Sequence, residues 1–89
     1  MTLEEDWERV QRVWKTCKER FWDPSLFIYA HITALRRIDK GIAHPIVRLL
    51  ESGKYIGRLQ VTGAPPHGTA KYPIKYNKKH YTYVRVRCD

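Results

Sequence analysis

Six apolar side chains recur at alternating steps of four and three near the start of this chain: Leu3, Trp7, Val10, Trp14, Cys17 and Phe21. That spacing winds them onto one stripe of an α-helix and leaves Glu4, Glu8, Arg12, Lys15 and Arg20 on other faces. Thr2-Leu-Glu-Glu5 just ahead matches a capping box, in which the Thr side chain accepts from the backbone N–H three residues on and the Glu reaches back. An amphipathic helix over residues 2–22 follows, and the rest of the fold has to cover its stripe. Two covers are open. One is the core of the domain itself. The other is a second copy of the chain, because the steps equal heptad spacing, and Leu3, Trp7, Val10 and Trp14 would then form the seam of a homodimer.

Residues 24–53 read as a helical pair. Asp23-Pro24 suits an N-cap followed by the first helical position. Leu26, Phe27, Ile28, Ala30, Ile32, Ala34, Leu35 and Ile38 then cover more than half of a helix circumference, so this second helix is central. Arg36, Arg37 and Lys40 fall in its last turn, where cations oppose the dipole, and Gly41 is its expected C-cap. A third helix runs from about His44 to Ser52, with Pro45 in its first turn, Ile46, Leu49 and Leu50 on one face and Gly53 at its end.

Residues 54–87 change character. Lys54 to Val61 alternates polar and apolar, which predicts a strand from Tyr55, and His80 to Arg87 is β-branched and aromatic. Gly63-Ala-Pro-Pro-His-Gly68 and Asn77-Lys-Lys79 are turn-rich. Pro73 cannot donate to a ladder, so any strand there is short or at an edge. A β-hairpin results, and the whole of residues 1–89 forms one α+β domain of three helices followed by a small antiparallel sheet or hairpin. On the last strand, Thr82, Val84 and Val86 point one way and Tyr81, Tyr83, Arg85 and Arg87 the other.

Charge divides along the same line. Up to Asp23 six acids outnumber five bases, whereas from Pro24 twelve bases face only Asp39, Glu51 and Asp89. Lys54 to Arg87 holds eight Lys or Arg and no acid at all. Such one-sided charge attracts a polyanion or an acidic protein surface. Two cysteines, Cys17 and Cys88, lack metal-binding spacing, and Cys17 reads as a small core residue. His31, His44, His67 and His80 are dispersed without paired acids, so neither a metal centre nor a catalytic site is expected. No cofactor motif is present: the Gly63 to Gly68 segment has no Gly-Lys-Ser/Thr ending, and its prolines remove backbone donors. No apolar run is long enough for a membrane span or signal peptide, which points to an intracellular protein of a prokaryotic or viral host.

The three helices followed by a strand pair, with Ile46-Val-Arg-Leu-Leu-Glu-Ser-Gly-Lys-Tyr-Ile56 at the junction, resemble the winged helix-turn-helix family over roughly residues 26–87. The resemblance implies DNA binding and transcription regulation. The helix from His44 would enter the major groove, Arg48 would read a base edge with His44 next, and Lys71 to His80 would form the wing beside the phosphates. Ile42-Ala-His-Pro-Ile46 offers few donors, so the wing carries more of the binding. Arg58, Lys71, Lys75, Lys78, Lys79, Arg85 and Arg87 complete the set of nucleic-acid contacts. Tyr81 and Tyr83 between the arginines would instead serve an RNA or single-strand binder as stacking platforms. A third reading is a viral or mobile-element protein that inhibits a host complex by direct contact.

Overall fold

In a computed structural model of the chain, residues 2–21, 30–62 and 74–87 are described. Helix α1 spans Leu3–Phe21 and begins as the capping box requires, with the Thr2 hydroxyl accepting from the Glu5 N–H at 3.1 Å. Trp7, Val10, Trp14 and Cys17 are buried and Leu3 packs against them. The stripe is therefore covered by the chain's own core, and these residues are not available as the seam of a homodimer. Val13 and Asp6 are buried as well. Both lie in register with Val10 and Cys17 at the same four-three spacing, so the buried band is wider than the stripe that the apolar pattern outlines.

Strand β1 (Ala30–His31) precedes helix α2 (Ile32–Ile38), and helix α3 (Ala43–Ser52) follows after a tight turn. The continuous second helix expected from Pro24 is thus not formed at residues 30–31; its expected start lies outside the described residues. Ala30 is fully buried and pairs with Val84, His31 pairs with Tyr83, and the Ile32 N–H reaches the Thr82 carbonyl at 2.9 Å. Sheet pairing here overrides helical propensity. The His31 side chain then caps α2, its Nδ1 accepting from the Thr33 N–H at 3.2 Å.

Helix α2 also ends before Gly41. Asp39 is its extended C-cap, its N–H bonded to the Leu35 carbonyl and its carboxylate accepting from the Gly41 N–H at 3.0 Å. Gly41 belongs instead to the turn into α3, where a Cβ would stand 3.1 Å from Nη2 of Arg9. Helix α3 closes at Gly53, whose φ of 74° is the left-handed conformation expected of a glycine C-cap.

Strand β2 (Leu59–Thr62) starts four residues later than the alternation of Tyr55 to Val61 implies. The Tyr55 carbonyl accepts from both Arg58 and Leu59 N–H groups, which curls the chain, and the Tyr55 ring lies 5.1 Å from that of Trp7. Docking on α1 takes Tyr55 out of the ladder. Strands β3 (Ile74–Tyr76) and β4 (Lys79–Tyr81) form one hairpin, and β5 (Tyr83–Val86) returns to the main sheet. The main sheet is antiparallel in the order β1-β5-β2, with Leu59 opposite Val86, Gln60 opposite Arg85 and Val61 opposite Val84. Its inner face, Ala30, Leu59, Val84 and Val86, joins Ile32, Leu35, Ile46 and Leu49 of α2 and α3 in one core with α1. Each fully buried Ile or Leu contributes about 1.5–3 kcal/mol. The fold is therefore α+β, three helices and small antiparallel sheets. No helix among the described residues is long and apolar enough to cross a membrane.

Candidate nucleic-acid interface

Two bidentate ion pairs fix the first helix to the second half of the helical pair. Arg9 donates to both carboxylate oxygens of Asp39 at 2.6 and 2.8 Å, and Arg48 on α3 donates to both oxygens of Asp6 at 2.9 Å. Asp6 and Arg9 sit one helical turn apart, so neighbouring side chains of α1 hold the α2–α3 turn and the middle of α3. Hydrogen bonding from Arg48 keeps the Asp6 carboxyl below its ordinary range, and Arg9 followed by the Gly41 N–H does the same for Asp39.

This geometry changes the role expected for Arg48. The guanidinium that the resemblance assigns to a base edge has its Nε and Nη2 bound to a carboxylate that is 1% exposed. His44, the second expected reader, is exposed on α3, and so is Glu51. Ser52 donates its hydroxyl back to the Leu49 carbonyl at 2.7 Å. Arg58 is half-buried and lies over the Trp7 ring, its guanidinium carbon 4.9 Å from the centroid, a cation–π contact within α1's own shelter.

The hairpin β3–β4 gathers the next set. Asn77 and Lys78 at its tip have φ of 51° and 63°, the paired left-handed residues of a two-residue turn whose twist suits a hairpin. Lys75 faces His80 across the ladder, Tyr76 faces Lys79 and Ile74 faces Tyr81. Ile74 is 1% exposed and the Tyr76 hydroxyl reaches the Leu50 carbonyl at 3.4 Å, so the Ile74 and Tyr76 side is pressed against α3. Because strand side chains alternate, Lys75 and His80 stand on the opposite side. Lys75, Lys78, Lys79 and His80 are all exposed. Lys71 lies outside the described residues.

On the last strand the expected face split is present in part. Thr82, Val84 and Val86 are buried while Tyr83 and Arg85 are half-exposed and Arg87 exposed. Tyr81 is half-buried and shares the side of the hairpin that carries Ile74. Tyr83 meets His31 edge-on, with ring centroids 5.1 Å apart and planes at 88°. Burial lowers the affinity of His31 for a second proton, which matches its acceptor role at Thr33.

The exposed acids of the described residues, Glu4, Glu5, Glu8 and Glu19 on α1 and Glu51 on α3, leave the β-half to its cations. Lys75, Lys78, Lys79, Arg85 and Arg87 make no ion pair among the described residues. No cluster of three or more His, Cys, Asp or Glu that could hold a metal ion is found among them either. The buried acid at Asp6 was hidden from an apolar-pattern reading; its one sequence signal is an Asp in register with Val10, Val13 and Cys17. Compared with known protein families, with curated proteins and with solved structures, the chain matches none of them.

Proposed function

We propose that this protein binds duplex DNA through its basic β-half, as a winged-helix-like module with a regulatory or architectural role inside the cell. The observation that carries the reading is the run from Gly53 to Arg87 without a single acid, together with exposed Lys75, Lys78, Lys79 and Arg87 and half-exposed Arg85 within it, which make no ion pair among the described residues. A surface of this kind draws phosphates and gains entropy from the counterions they release. The element order lends the reading support: a helix, a short strand, two helices, a strand, a hairpin and a last strand that lies between the two earlier ones. On this reading the β3–β4 hairpin would serve as the wing.

The test is a salt series of duplex binding by fluorescence anisotropy. Engaging about five phosphates gives a slope of log K against log salt near −4.5. A flat slope, or binding to duplex that survives high salt, overturns the reading. A second reading keeps one observation of its own: Tyr83, Arg85 and Arg87 share the outer side of the main sheet, which suits stacking and backbone contacts to single-stranded RNA. Competition decides between the two, because a single-strand binder releases duplex when unstructured RNA is added and a duplex binder does not.

A further inference from the structure

Resting on the DNA reading, we infer that the protein holds duplex DNA without reading its sequence, with the β3–β4 hairpin as the anchor and α3 kept out of the major groove. Base readout needs donors and acceptors aimed from α3 at base edges. The one arginine of α3 is bound through two nitrogens to Asp6, and Ser52 is turned back on Leu49. What α3 offers solvent beyond Arg48 is His44, half-buried Val47 and Glu51, and a carboxylate there faces phosphates with the wrong sign.

The placement of the hairpin points the same way. Ile74 and Tyr76 fasten one side of it to the C-terminal part of α3, so Lys75 and His80, on its other side, look away from that helix. A duplex seated on this side has its backbone against the hairpin, and α3 lies behind the strands that touch it. The tip adds an independent observation. Lys78 holds a φ of 63°, a conformation that costs a side-chain-bearing residue about 1 kcal/mol and that glycine adopts without penalty. The chain keeps an ammonium at that position against its backbone preference, and strain held at an exposed tip marks a functional side chain.

Three measurements test the inference on the full chain. Selection from a random-sequence duplex pool returns no motif enriched more than about 10-fold, whereas a sequence reader enriches its site about 1,000-fold or more. Changing Lys75→Ala and Lys78→Gly together weakens duplex binding at least about 10-fold and reduces the magnitude of the salt slope by about 1.8, the share of two phosphates. Glu51→Gln alters affinity by less than about 3-fold, because α3 is not against the backbone. A motif enriched beyond 10-fold, a double variant that binds as well as the parent, or a larger gain from Glu51→Gln overturns the inference and leaves DNA binding standing. Failure of every duplex to bind at low salt removes the DNA reading itself. Circular dichroism of each variant confirms that a loss is not unfolding.

Discussion

Asp6 and Arg48, forty-two residues apart, hold each other by two hydrogen bonds of 2.9 Å with the carboxylate buried and the guanidinium two-fifths exposed. A carboxylate in that position is a liability the moment its partner leaves. Arg48→Met is expected to destabilise the protein by about 2 kcal/mol, below the usual cost of breaking a buried pair because water reaches the Arg48 side. The double change Asp6→Leu with Arg48→Met removes both charges and falls within about 1 kcal/mol of the parent. Urea unfolding of the four proteins measures this. A double variant whose loss equals the sum of the two single losses would show that the pair is not coupled.

Stability is expected to fall in two stages as the solution is acidified. His31 has a folded pKa below its ordinary 6.5, so the unfolded chain takes the proton first and stability declines as pH drops below that value. Its protonation also removes the acceptor that caps α2. Asp6 and Asp39 have folded values below the ordinary 3.8; their contribution is complete above it and is lost as pH falls through the lowered values. Melting temperatures from about pH 8 to about pH 2 display both stages, and His31→Asn, which keeps a capping oxygen, removes only the upper one.

Gly53→Ala is expected to cost about 1 kcal/mol through backbone strain alone. An added Cβ would meet nothing within 4 Å, but φ is 74°. Gly53→Asn recovers part of the loss, since Asn tolerates the left-handed region. Thermal unfolding that ranks Asn no better than Ala would contradict a backbone origin.

Lys78→Gly is expected to act in opposite directions on stability and binding. Relief of the left-handed lysine stabilises the hairpin by about 1 kcal/mol, while loss of the ammonium weakens duplex binding. A melting curve and a binding isotherm on the same variant decide it, and a parallel rise or fall of both quantities would refute the trade.

Cys17 is fully buried, and burial pushes its thiol up to about 12. In a Cys88→Ser background the folded protein is expected to react with a thiol reagent at least about 100-fold more slowly than the urea-unfolded chain. Equal rates would mean that α1 leaves the core readily.

The helix from Leu3 was legible because its signal is local: a capping Thr and a four-three apolar rhythm act within one element. The end of α3 at Gly53 was legible for the same reason. What escaped was set by distant partners. Ala30 and His31 look helical until Val84 and Tyr83 pair with them, and Tyr55 looks like a strand residue until Trp7 takes its ring. The basic half could be read from composition, whereas the occupation of Arg48 by Asp6 could not, because a sequence displays an arginine's charge and not its neighbour across the fold.

The strand that completes the main sheet occupies its centre. Strand β5 lies between β1 and β2 although it comes last of the three in the chain. During synthesis the helices and both flanking strands emerge before their shared neighbour exists, so the sheet closes in a single late step. A nascent chain halted before Tyr83 carries two bare edges and is a client for chaperones rather than a smaller version of the same protein.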